Sequence, residues 1–186
     1  YFWNKRTKED LEKAVNYFRQ AIDIDSNYAL AYAMLADSYN MLVYYKYTGD
    51  SAGFINEADK AAKKALSLND SLGEAYIALS YVQIAKYKDY EAATRSIERA
   101  VQLSPNNPTA RIRYGWQQQK KKNVDGTYEQ MRIAQENDPL SPVSNSTLCS
   151  VLMIKRNYPQ ALKYCEKTVE LQASAPFVKI QLSSAY

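Results

Sequence analysis

Residues 98–106 read ERAVQLSPN, and the stretch recurs as RQAIDIDSN at 19–27, KKALSLNDS at 63–71, RIAQENDPL at 132–140 and EKTVELQAS at 166–174. Each copy carries a small residue and ends in a helix-breaking cluster. In four of the five an apolar residue stands three positions after the small one. The small residues are Ala21, Ala65, Ala100, Ala134 and Thr168, spaced by 44, 35, 34 and 34 residues. A fixed period of this size marks a repeat array, in which each unit leaves a hydrophobic face for its neighbour to cover.

Working outward, a second column lies seven residues earlier, at Ala14, Ala58, Ala93, Thr127 and Ala161. A third lies between the two, at Phe18, Ala62, Ile97, Met131 and Cys165. Spacings of four and three put the three columns on one helical face. Small residues in two of them let another helix approach closely, and the third fills the space between. Upstream of each copy lies a partner segment, in which Leu35, Leu79, Tyr114 and Leu148 share a column followed by Ala36, Ser80, Gly115 and Cys149. A large residue followed by a small one suits the crossing of two antiparallel helices. Pro105 and Pro139 stand two residues past the helical pattern, where proline stops a helix.

This pattern resembles the tetratricopeptide repeat (TPR), a helix–turn–helix unit of 34 residues. The fullest match to its signature is Tyr32, Leu35, Ala36, Tyr39, Ala58, Ala62 and Ala65, with Tyr114, Gly115, Ala134 and Pro139 in a later copy. Asp70 and Ala173 depart from the signature proline, and Asn137 stands where the other copies have Ile or Leu. The resemblance implies an all-α fold, a right-handed superhelix of antiparallel helix pairs. It is expected to fill residues 1–186 as one array. Residues 29–72, 73–107, 108–141 and 142–175 are full units, with partial units at 1–28 and 176–186. In the last, Leu182 and Tyr186 fall where Leu148 and Leu152 fall one unit earlier. Both ends are therefore expected to lie inside repeats of a longer protein.

The first full unit is about ten residues longer than the others, within LVYYKYTGDSAGFINEADK at 42–60. A longer loop and an extended helix pair both account for it. The stretch from Asn27 to Leu79, with the upstream WNKRTKEDLEKAVNYFRQAIDID, is similar to bacterial TPR arrays that sit beside winged-helix regulators, nucleotide cyclases and serine/threonine kinases. That resemblance implies the regulatory arm of a signalling or transcription-regulator protein.

Composition bears on chemistry. The chain has no His, which removes the commonest general base and metal ligand. Cys149 and Cys165 are too few for a zinc site; falling on packing columns they are expected as buried free thiols, and a disulfide between them is geometrically conceivable but would be unusual in the cytoplasm. No glycine-rich phosphate loop, nucleophile motif or paired catalytic carboxylate is present. The reading is of a non-enzyme that needs no cofactor or metal. The 24 basic and 20 acidic residues are interspersed, giving a net charge of +4. A surface of that kind gives no reason to expect direct nucleic-acid binding. Lys120, Lys121 and Lys122 close a helix, where its dipole favours cations. The N-terminus shows no signal core, and no stretch reaches the roughly 18 apolar residues of a membrane span. The expected location is cytoplasmic, although an extracytoplasmic one is compatible with these features.

The first helix of each pair should line a concave wall. Its inward positions are Leu30, Ala33, Asp37 and Asn40; then Ile77, Tyr81 and Ile84; then Ile112, Arg113, Trp116 and Gln119; and finally Ser146, Ser150 and Met153. An aromatic and apolar wall with scattered polar groups suits a peptide or partner domain with apolar anchors. Tyr81 and Trp116 equally suit packing beneath adjacent helices. Relatives that hold acidic chaperone C-termini use a Lys, Asn and Arg clamp. Here those positions carry Ala33, Asp37, Ala78 and Thr109, with only Arg113 matching, so that role is not expected. The expected partner is a protein or peptide; the alternative is a structural module that self-assembles through its repeat ends.

Overall fold

A computed structural model describes residues 6–171. The expected segment 176–186 therefore lies outside the described residues, as do residues 1–5. The described residues form helices only: α1 (Lys8–Ile24), α2 (Ala29–Tyr44), α3 (Ser51–Leu68), α4 (Gly73–Ala85), α5 (Tyr90–Leu103), α6 (Pro108–Lys120), α7 (Val124–Asn137), α8 (Pro142–Ile154) and α9 (Tyr158–Leu171). The chain divides between Ser104 and Pro105 into two compact units. The first holds α1–α5 and the second α6–α9.

In the first unit α1 packs on α2, α2 pairs with α3, and α4 lies against both before pairing with α5. In the second unit α6 pairs with α7, α7 meets α8, and α8 pairs with α9. The three repeat columns explain this packing. Ala58, Ala62 and Ala65 of α3 are fully buried, as are Ala93, Ile97 and Ala100 of α5; Thr127, Met131 and Ala134 of α7 are at most 2% exposed. Phe18 and Ala21 of α1 stay half-buried. The second helix of each pair buries mainly this stripe, with Ile55, Asp59 and Ala61 added in α3 and Ser96 in α5, and keeps a polar face outward. The first helices bury most of their circumference, because each touches its own partner and its neighbours.

The first core gathers Leu11, Val15, Leu35, Tyr39, Leu42 and Val82 over Ala36, Ala58, Ala62 and Ala78. The second gathers Ile112, Met131, Leu148, Val151 and Leu152 over Ala134 and Ala161. Gly115 is where a side chain would obstruct the second core. A Cβ built there stands 2.7 Å from Cε of Met131, so the absent side chain is the space the methionine fills.

Six of the nine described helices start with a side-chain cap, while α2 and α4, behind Tyr28 and Leu72, have none. The side chains of Thr7, Asp50, Asp89, Asn107, Asn123 and Ser141 accept from backbone N–H groups in the first turn, and Pro108 and Pro142 open α6 and α8. Helix ends hold a surprise. Lys46, Lys88, Lys122 and Arg156, each in the turn inside a helix pair, have φ of 57°, 56°, 58° and 58°. After α6 the Lys122 N–H donates to the Gln119 carbonyl at 2.9 Å and the Asn123 N–H to Gln118 at 3.0 Å. After α8, Arg156 and Asn157 donate to Met153 and Leu152 at 2.9 Å. These are Schellman closures, whose left-handed residue is usually glycine.

The ten extra residues are mostly helix. α2 and α3 have 16 and 18 residues, against 13 and 14 for α6 and α7. The added length carries an aromatic cluster: Tyr39 and Phe54 meet edge to face at 5.3 Å, Tyr44 contacts Tyr45 at 5.0 Å and Tyr81 at 6.2 Å, and Tyr45 meets Tyr47 at 5.6 Å.

One expectation is corrected. Cys149 and Cys165 are not free thiols; a disulfide joins α8 to α9, with Cα atoms 5.4 Å apart. Cys149 follows Leu148 at the helix crossing and Cys165 occupies the middle packing column, so the antiparallel pairing itself brings the two sulfurs together.

Candidate peptide-binding surfaces

The inward positions proposed from sequence separate by burial. In the first unit Ala33, Asp37, Asn40 and Ile77 are no more than 4% exposed. The side-chain amide of Asn40 donates to the Ala78 carbonyl at 2.9 Å, which ties α2 to α4. Leu30 is 37% exposed, and Tyr81 and Ile84 are half-buried. These three, with Tyr44 at 45% exposure, are among the side chains the first helices present to solvent. In the second unit Ile112, Arg113 and Ser146 are buried, and Ser150 is half-buried. The Ser150 hydroxyl donates to the Ser146 carbonyl at 3.0 Å. Trp116 and Met153 are half-buried at the margin of the second core, and Gln119 is exposed. Each unit therefore offers partly exposed aromatic and apolar side chains on its first helices. In one, Tyr44 and Tyr81 are in ring contact, with Ile84 one turn on from Tyr81 and Leu30 at the far end of α2; in the other stand Trp116 and Met153.

A polar constellation that the sequence reading missed lies in the first unit. Asp59, only 4% exposed, accepts at Oδ2 from Lys86 Nζ at 2.7 Å and from the Tyr87 hydroxyl at 2.5 Å; Lys63 Nζ lies 2.9 Å from its Oδ1. Both ammonium groups also lie over the Tyr87 ring, at 5.3 and 5.2 Å. Burial by itself would raise the Asp59 pKa, but the hydrogen bonds from Lys86, Tyr87 and Lys63 together outweigh it and hold the carboxyl below its ordinary value. The Lys63 ammonium is held above its ordinary range chiefly by its hydrogen bonds to Tyr87 and Asp59, and the Lys86 ammonium chiefly by its bond to Asp59. The i,i+4 spacing of Asp59 and Lys63 was a readable signal; Lys86 and Tyr87, over 25 residues on, gave none. On α7, Arg132 holds Glu129 below its ordinary range through a hydrogen bond, an exposed pairing of ordinary kind.

Among the described residues, no group of three His, Cys, Asp or Glu side chains could hold a metal ion. No described helix is long and apolar enough to cross a membrane.

The fold is an all-α helical repeat of the kind found in TPR proteins. Residues 5–28 match the family model of the tetratricopeptide repeat. The chain is similar in structure to a thermophilic TPR protein of Thermus thermophilus, with a TM-score of 0.71 and 16% identity over 95% of this chain and 91% of that one. It is also similar to YrrB, described as a TPR protein with an unusual peptide-binding site (TM-score 0.54, 23% identity, 95% and 84% coverage). The human IFIT1 dimer with PPP-AAAA gives a TM-score of 0.75 at 18% identity, over 97% of this chain and 42% of that one. No curated protein sequence matches the chain.

Proposed function

We propose that this chain is a protein-interaction scaffold that holds a peptide or partner domain against the first helices of its pairs, as the regulatory arm of a bacterial signalling or transcription-regulator protein. The observation that carries the scaffold reading is that Trp116 of α6 and Met153 of α8 both stay half-buried where they pack on the second core. A large ring packed on a core and still partly open to solvent is the usual form of a binding hot spot. Tyr81 and Ile84 supply the corresponding anchors in the first unit. The buried positions Ala33, Asp37, Asn40, Ile77, Ile112 and Arg113 then set the spacing of the helices and do not touch the partner. TPR neighbours that include a peptide-binding protein support this reading, and the signalling role rests on the resemblance of residues 3–25 and 27–79 alone. We assign the chain no reaction.

Selection of a random peptide library on the whole chain tests the proposal. Enriched peptides should bind Trp116→Ala at least tenfold more weakly, with its thermal midpoint within a few degrees of the parent. A selection that enriches nothing, or peptides indifferent to both Trp116→Ala and Tyr81→Ala, would overturn it.

A further inference from the structure

The turns inside the helix pairs follow one plan throughout, yet their charge differs between the units. In the first unit the turn cations Lys46, Lys86 and Lys88 stand beside Asp50, Asp59 and Asp89. Asp50 and Asp89 cap α3 and α5, and Asp59 binds Lys86. In the second unit the cap of α7 is the neutral Asn123, and Asn157 stands at the corresponding position before α9. The cations there are Lys120, Lys121 and Lys122 at the end of α6 and Lys155 and Arg156 after α8, with Asp125 the single carboxylate among them.

The two turns form one surface. Lys155 reaches back from the end of α8 to the start of α7, where its Nζ forms an ion pair with Asp125 and lies over the Tyr128 ring at 5.4 Å. Asp125 is thereby engaged, while Lys121, Lys122 and Arg156 are exposed to solvent. Five cations against one carboxylate equal the formal net charge of the whole chain, +4, gathered at one end of four helices. Beside them stand exposed apolar side chains: Ile154 at 49%, Tyr158 at 56% and Val124 at 36%. The helix dipole favours cations at these helix ends. It acts equally on the first unit, where acidic caps cancel the charge, and so does not explain the imbalance.

We infer that this edge of the second unit is a docking surface for an acidic peptide segment that interleaves carboxylates with apolar side chains. Charge complementarity supplies the attraction and sets the encounter rate. The apolar neighbours decide between classes of polyanion. Ile154 and Val124 offer a phosphate backbone nothing, but they match the aliphatic residues of a peptide. The overall isoelectric point near 8.9, with charges balanced elsewhere, also falls short of a nucleic-acid-binding surface. This surface is distinct from the first-helix patches proposed above.

The test uses the whole chain and a short fluorescein-labelled peptide alternating Glu with Leu, read by anisotropy at increasing ionic strength. The variant is Lys122→Asn with Arg156→Asn, since asparagine tolerates the left-handed backbone and leaves the closures intact. Binding should weaken with salt and fall about tenfold in the variant, a loss expected for two charges of this kind. Lys46→Asn and Trp116→Ala should leave it within about twofold, and insensitivity to Trp116→Ala separates this surface from the first-helix patches. The inference is overturned if the parent chain does not bind the peptide, or if the double variant binds it equally well. Tighter binding of a single-stranded oligonucleotide of equal charge, or of phosphatidylserine vesicles, overturns it too.

Discussion

Lys86 Nζ donates a 2.7 Å hydrogen bond to Oδ2 of Asp59, so the turn between α4 and α5 is fastened to the body of α3 in the preceding pair. The contact crosses a repeat boundary that is also bridged by the hydrogen bond from Asn40 to the Ala78 carbonyl and by apolar packing. With Tyr87 and Lys63 it supplies hydrogen bonds to Oδ2 of a carboxylate that is nearly out of water, while the Lys63 ammonium stands 2.9 Å from Oδ1.

Asp59→Asn should cost about 1–2 kcal/mol, because the amide keeps the shape but loses the charge-assisted bonds. The pH dependence has a definite sign. The folded pKa lies below the unfolded one, so the stabilisation is complete above about pH 5 and is lost as pH falls through the ordinary carboxylate range toward the depressed folded value. Urea unfolding at neutral pH and near pH 3 checks this. The gap between parent and variant should narrow in acid, and a constant gap would refute the assignment.

Lys122→Gly should stabilise the second unit by about 0.5 kcal/mol. The left-handed backbone at φ 58° costs a side-chain-bearing residue roughly 1–2 kcal/mol, and glycine gives part of that back as unfolded-state entropy. Arg156→Gly should behave alike. Matched urea midpoints are the measurement, and a loss of stability in both variants would contradict the strain argument.

Reduction of the disulfide between Cys149 and Cys165 should destabilise the α8–α9 pair by about 3 kcal/mol, the loop-closure value for a separation of 16 residues. The first unit should be unaffected. Thiol titration of the unfolded, unreduced chain should find no reactive cysteine, and two titratable thiols there would refute the bridge. Hydrogen exchange before and after reduction should show faster opening confined to α8 and α9 and their immediate contacts.

Gly115→Val should cost about 1–3 kcal/mol, since its Cβ would stand 2.7 Å from Cε of Met131 and the added branches would press further into a filled core. Met131→Ala alone should cost about 2–5 kcal/mol through the cavity it leaves. Combined, the two should cost clearly less than their sum, because each relieves the other. Strict additivity would show that Gly115 does not make room for the methionine.

What could be read directly from the chain was everything periodic. The columns through Ala58, Ala62 and Ala65 and their copies recur because one helix face must meet the same kind of neighbour in each pair, and a 34-residue period exposes that without a structure. The large–small pairs such as Leu148–Cys149 and the prolines that stop helices were legible for the same local reason. Tertiary structure decided what depends on residues far apart. It buried Asp37, Asn40 and Ile77, which helical geometry alone had aimed at a wall, because a first helix touches neighbours on both sides. It joined Cys149 to Cys165, and it closed Asp59 with Lys86 and Tyr87. It also placed lysine and arginine in left-handed turns where local propensity expects glycine. Closure of the helix end by hydrogen bonds, and packing of the pair beyond it, outweighs the roughly 1–2 kcal/mol of backbone strain.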